Sequence, residues 1–475
     1  MQIDPTGNVP ALQDANGNTV YPDTNSQQVL AASTQSISQI RSAVLPAGLQ
    51  LVALPVMSQE TPMATLLEQG QAARWNPDKP GNSKYELFPY PYASTARRGA
   101  GYWMKLQRST PVTLDVPAVE FQPYAITLRP GWNMIGNPYT EPVLWDVNAV
   151  RVRKDNVELP LAQAETQGWV ESYAWRWDGS AYRLVYSAGV PLPNVDETLP
   201  AWSGAWVFAY QPCELILPVP QGIAAEITRK RGTIPAGSWS LALRARVNGS
   251  TSEAIIGSMP NGRGLSVGIP PLPPGAVEGV QIVAVRNGQP LAADLRSGAR
   301  IAGEVWDIEV RVPPGEDERA TLWWQDVHRA PRGVNPVLVD LQTGERKFLR
   351  HTSSYTFAVS RQGGVYRFRV ELLPAGDLLR ITGVRVSGGR SQGSYTIAFN
   401  VNAGAQVEVT VLAAGRPVRK LMQTVTRSAG VQQVSWDGRD ASGVALPAGA
   451  YMVEVKAMGA DGQVARVSVP IVLTR

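Results

Sequence analysis

The chain has 475 residues, a length that suggests about three domains on a prior of ~150 residues each, and 44% of them are hydrophobic against 17% charged. The net charge of +5 is small for that length and scattered, with no basic run longer than Arg229-Lys230-Arg231, so no nucleic-acid face is legible. One cysteine, Cys213, excludes an intrachain disulfide and a cysteine-rich metal cage.

The 44 Gly and 38 Pro punctuate runs that alternate apolar and polar residues, which predicts many short strands and an all-β chain. No stretch approaches the ~20 consecutive apolar residues of a membrane-spanning helix. A basic region followed by an apolar one is not visible at the start either, so no signal peptide is read there. Either the protein stays inside the cell or the chain begins inside a longer precursor, and the second is expected because residues 1–44 are polar and read as a tether. Asp14-Ala-Asn-Gly-Asn18 has the opening of a calcium loop but lacks its distal Glu, so a hairpin turn is expected instead.

Residues 45–220 contain an internal repeat, with copies at about 45–118 and 126–220. Pro46-Ala-Gly48-Leu49 through Pro55 matches Arg129-Pro130-Gly131-Trp132 through Pro138. Ala73-Arg74-Trp75 matches Trp175-Arg176-Trp177, Tyr85 matches Tyr182, and Gly101-Tyr102-Trp103 matches Gly204-Ala205-Trp206. The spacing places about twenty extra residues in the second copy, around Val150 to Trp169. A pair of pseudo-symmetric β units sharing a core is expected. The Gly-Trp-Asn-x-Ile-Gly-Asn-Pro-Tyr stretch from Gly131 to Tyr139 resembles β modules of secreted multidomain bacterial proteins, a resemblance that carries over no binding residues.

Residues 221–237 read as a linker, and residues 238–374 as a β-sandwich. Trp239, Leu241 and Leu243 alternate with polar residues, as do Tyr366, Phe368 and Val370, which is the period of half-buried antiparallel strands. Pro270-Pro271-Leu272-Pro273-Pro274 has polyproline character and is expected to be a stiff, exposed connector.

The last module, residues 377–475, holds roughly seven short strands, the count of an Ig-like sandwich. Two of its alternating runs are joined by a loop from Trp436 to Tyr451. Asp437 and Asp440 can cap turns there, Gly438, Gly443 and Gly449 can take positive φ, and Trp436 and Tyr451 anchor the two ends. This W-D-G…G…G-x-Y loop resembles the FlgD/Vpr-type Ig-like domain of flagellar hook-capping proteins and many secreted bacterial proteins. It is similar as well to the C-terminal sorting domains of secreted Bacteroidetes-type proteins. The resemblance covers roughly the last hundred residues and implies a fold and a setting, and no reaction. With the alternating runs upstream, the whole chain is expected to be all-β, a pseudo-repeated β domain followed by tandem Ig-like β-sandwich modules.

Catalytic chemistry is sparse. Only His328 and His351 are available to any metal site or triad, and Asp326 near His328 is not echoed elsewhere. Gly389-Arg-Ser391-Gln-Gly393 matches the nucleophile-elbow pattern, yet a strand follows it and no histidine comes after it. Cys213 lies in an apolar strand and reads as a buried, inert thiol. The residue type in excess is Trp, with 14 copies. Trp75, Trp103, Trp177 and Trp206 are expected in the core because the repeat matches them, whereas Trp169, Trp175 and Trp202 are the candidates for ligand stacking. Trp323 and Trp324 are neighbours on one strand, so one of them should face solvent or an interface.

The chain is therefore expected to be the C-terminal part of a secreted or cell-surface multimodular bacterial protein, without catalysis or cofactor, acting as spacer, scaffold or adhesive module. Its expected partners are other protein modules, cell-surface components or polysaccharide, with no nucleic acid and no membrane span. Two other readings are carbohydrate binding through exposed Trp of the repeat and a hook-cap-like assembly scaffold.

Overall fold

Period-two patterning becomes strand along most of the described residues. The computed structural model describes residues 12–13, 19–20, 38–57, 61–66, 70–81, 84–117, 122–187, 189–220, 234–260, 262–298, 302–374, 379–389, 394–459 and 463–473. They group into two units. The first comprises Met1–Gly189, Pro193–Thr233 and Pro270–Ala276; the second comprises Val190–Leu192, Ile234–Ile269 and Val277–Arg475.

In the first unit Leu12–Gln13 pairs antiparallel with Thr19–Val20; the turn expected at Asp14–Asn18 between them lies outside the described residues. The segment read as a tether also contributes a strand, since Ser38–Leu45 pairs along its length with Thr110–Pro117. Each repeat copy then builds the same four-stranded antiparallel sheet. In the first copy the order is Gly48–Ala53, Gly101–Leu106, Gly70–Trp75, Tyr85–Leu87. In the second it is Gly131–Gly136, Gly204–Ala209, Ala174–Trp177, Tyr182–Val185. The glycines opening the first strands take the same left-handed conformation, φ 92° at Gly48 and 96° at Gly131. A small two-stranded pair also recurs, Thr61–Pro62 with Thr95–Ala96 and Val143–Leu144 with Thr198–Leu199. The extra residues of the second copy form the hairpin Arg151–Lys154 and Val157–Pro160 and the short helix Leu161–Thr166. That hairpin pairs with Cys213–Leu217, and Leu161 and Ala164 of the helix enter the second copy's core.

The copies meet through reciprocal contacts. Ala53 N–H donates to the Trp202 carbonyl and Gly136 N–H to the Gly99 carbonyl, each at 2.9 Å. Two isolated antiparallel bridges, Val52 with Ser203 and Ala100 with Ile135, repeat the exchange. These contacts explain a glycine at each strand start. A Cβ on Gly101 would stand 2.5 Å from the Ile135 carbonyl oxygen, and one on Gly204 2.9 Å from that of Val52. The approach of one copy to the other admits no side chain at either position.

In the second unit an eleven-stranded sheet spans Trp239 to Pro374, around a core that includes Trp239, Trp306, Trp324 and Phe368. Trp324 is buried and donates to the carbonyls of Leu349 and Thr352, while its neighbour Trp323 is half-buried. Among the described residues the final module has seven strands in two sheets. Ile381–Gly389, Ser394–Val401 and Gly430–Trp436 form one; Arg416–Arg427, Ala405–Ala413, Gly449–Gly459 and Val464–Leu473 form the other. Ile397, Phe399, Val407, Val409, Val453 and Val455 fill the space enclosed by them.

Candidate functional site

The tryptophans of the repeat converge where the two copies meet. Trp75 of the first copy stands edge-on to Trp206 of the second at 5.2 Å between ring centroids. Trp103 and Trp177 repeat the arrangement at 5.4 Å. Each pair draws one ring from either copy, so the cluster is as symmetric as the backbone bridges. Trp103 and Trp206 are almost wholly enclosed, at 1% and 0% exposure. Edge-to-face geometry suits such contacts, because a ring's positive edge meets its neighbour's negative face.

Two tyrosines border this cluster and receive its indole protons. Trp103 Nε1–H donates to the Tyr85 hydroxyl at 3.2 Å, and Trp206 Nε1–H to the Tyr182 hydroxyl at 3.1 Å. The hydroxyls pass the chain of bonds onward to the proline loop: Tyr85 donates to the Leu272 carbonyl at 2.7 Å and Tyr182 to the Pro271 carbonyl at 2.6 Å. Burial holds both phenols well above their usual range, against the opposing effect of the indole bonds. Residues 270–274 are thus not a free connector. Pro270 and Pro273 are buried, and the segment Pro270–Ala276 folds with the first unit.

The three candidates for ligand stacking fall into three different clusters. Trp175 joins the aromatic interface, directly across the ladder from Trp206. Trp169 packs on the second copy's core with the Lys154 ammonium 5.8 Å above its ring. Trp202 packs on the first copy's core, at positive φ. All three are half-buried.

A concavity in the same unit holds about 460 Å³ and is lined in part by Arg74, Arg97, Arg98 and Arg129 together with Asp78. Its positive lining suits an anion, but two of the guanidinium groups are already engaged. Arg74 lies 4.3 Å over the Tyr92 ring, and Arg98 lies 4.7 Å over Tyr124 while donating to the Pro138 carbonyl.

Among the described residues no group of three or more His, Cys, Asp or Glu is placed to hold a metal ion. Ser391 of the elbow-like motif lies outside the described residues. Cys213 is buried, and burial pushes its thiol up to about 11. Among the described residues no helix is long and apolar enough to cross a membrane.

The loop from Trp436 to Tyr451 is a self-bonded turn. Asp440 carries it: its carboxylate accepts from the amides of Ser442 at 2.8 Å and Val444 at 2.9 Å, and its own amide donates to the Val444 carbonyl. Asp437 accepts from the Arg439 amide, Trp436 Nε1–H donates to the Arg439 carbonyl, and the Tyr451 hydroxyl to that of Pro447. Gly438 and Gly443 take φ of 75° and 83°. Gly449 does not: it opens the strand Gly449–Gly459, paired with Leu473.

Seven strands in a three-stranded and a four-stranded sheet, closed by this loop, make the last module an Ig-like sandwich. Residues 383–461 match the family described as the FlgD Ig-like domain, and the module is a domain of that type. The crystal structure of dimeric latent PorU from Porphyromonas gingivalis is a looser neighbour. It is 11% identical, with 78% of this chain and 36% of that chain covered at a TM-score of 0.18, a likeness too slight to inform the upstream modules. No curated protein matches the chain.

The sequence missed Tyr85 and Tyr182 as a pair of donors, although the repeat had aligned them. What it lacked was any sign of where the proline loop lands, 187 residues away from Tyr85.

Proposed function

We propose that the chain is a non-catalytic part of a multimodular bacterial protein of the cell surface or exterior, in which β modules act as spacer and interaction scaffold. The reciprocal packing of Trp75 on Trp206 and of Trp103 on Trp177 carries this reading. Rings that would form a sugar platform if exposed are here the cement between two copies of one fold. The FlgD-type domain of residues 383–461 supports the setting, since its W-D-G…G…G-x-Y loop resembles that of Ig-like domains in many secreted bacterial proteins.

Single Trp103→Ala and Trp206→Ala variants test it. A scaffold role predicts a cavity cost of about 3–5 kcal/mol from either change, with no effect on retention by insoluble polysaccharide. Loss of polysaccharide retention at unchanged stability would replace the scaffold reading with carbohydrate binding.

A further inference from the structure

Proline has no N–H, so a Pro-Pro-Leu-Pro-Pro run cannot join a strand ladder, and its carbonyls need donors from elsewhere or water. Two adjacent carbonyls here, Pro271 and Leu272, are met by Tyr182 and Tyr85. Each hydroxyl is fixed from behind by an indole N–H, so its proton is directed at the loop. Their raised pKa values keep both as donors. Pro270 and Pro273 are buried, and in a polyproline helix of ~3 residues per turn they share one face. Leu272 between them is 45% exposed. Backbone carbonyls met by fixed tyrosine donors, on a segment with buried prolines at i and i+3, are features shared with the grooves that recognise polyproline segments.

We propose that Tyr85 and Tyr182 form a receptor for a proline-rich extended segment, that residues 270–274 are its resident ligand, and that a proline-rich segment of a partner protein takes the same seat by displacing this loop. The resident ligand is recognised by features that any such segment shares. Its one non-proline side chain, Leu272, points substantially into water, so nothing unique to this chain is read. The receptor is also tolerant of direction. The repeat relates Tyr85 to Tyr182, so a segment running either way meets an equivalent pair of donors, and Pro-Pro-Leu-Pro-Pro reads the same in both directions.

The full chain carrying Leu272→Cys, labelled with bimane, reports the loop's position through quenching by nearby Trp and Tyr; Cys213 is buried and does not compete for label. A synthetic Ile-Pro-Pro-Leu-Pro-Pro-Gly peptide should raise the emission at least two-fold and saturably, and the same peptide with Ala for Pro should not. With Tyr85→Phe and Tyr182→Phe added, the emission should start high and ignore the peptide. If that double variant does not fold, the single Phe variants carry the same comparison, each with an intermediate starting emission. Emission unmoved by the proline peptide at millimolar concentration would overturn the partner site. Emission unmoved by the Phe substitutions would overturn the tyrosine receptor itself.

Discussion

Gly101 of the first repeat copy lies so close to Ile135 of the second that a Cβ would stand 2.5 Å from the Ile135 carbonyl oxygen. The equivalent approach, Gly204 to Val52, is 2.9 Å. Both obstacles are backbone atoms, which cannot swing aside as a flexible side chain can. Glycine is required here for space and not for an unusual φ, since neither residue is among the positive-φ glycines.

Gly101→Ala and Gly204→Ala should therefore each destabilise the first unit by about 1–3 kcal/mol, the cost of overpacking a closed contact. Gly101 should be the more sensitive, as its contact is tighter. Denaturant unfolding of the two variants measures both the size and the order; equal, negligible losses would mean that the copies separate more easily than their bridges imply.

Asn137 offers a polar counterpart. Its side-chain amide donates to the carbonyls of Glu141, Leu199 and Pro200, each at 3.0 Å, and its oxygen accepts from the Tyr139 amide. It is 0% exposed. Asn137→Ala leaves those groups buried without their partner and should cost about 1–3 kcal/mol. Asn137→Asp should cost more despite its matching shape, because an ionised carboxylate only accepts and would face three carbonyls. Thermal unfolding at neutral pH ranks the two.

The FlgD-type domain contains a single tryptophan, Trp436, 1% exposed and ringed by Tyr395 and Tyr451. A fragment starting near residue 377 should emit at short wavelength when native and shift to the red in one cooperative step on unfolding. Solvent-like emission from the native fragment would show that its core needs upstream residues to close.

Cys213 predicts a pH dependence. Its folded value is raised from 9.0 to about 11 by burial, so its contribution is intact below pH 9.0 and is lost as the pH rises toward about 11. Over that window only the unfolded chain ionises the thiol. A Cys213→Ala variant should show a shallower loss of stability between these pH values than the parent. At pH 8 a thiol reagent should label Cys213 slowly until the chain is unfolded.

Local patterns carried the architecture into view. Alternation at Tyr395, Ile397 and Phe399 announced a strand, and all three side chains are buried in the last module's core. The match of Gly48 to Gly131 announced a shared turn, and the extra residues near Val150 became a hairpin and a helix. Partnerships between distant segments were not legible. Residues 38–44 looked like tether because nothing near them in sequence shows that Thr110–Pro117 will accept their backbone. The proline loop looked exposed for the same reason, since a run without N–H groups says only that it cannot pair as a strand. Trp75 and Trp206 were expected in a core that the two copies share, but only the fold sets one ring edge-on to the other.

The exchange of like contacts between copies is the geometry of a two-fold homodimer interface, in which each partner offers the same patch. Here both halves are on one polypeptide. Two separate halves would have to find each other at whatever concentration the surroundings allow, whereas tethered halves meet at an effective concentration set by the connecting chain. The aromatic interface should consequently survive dilution, because no fall in the concentration of the chain can part its two halves.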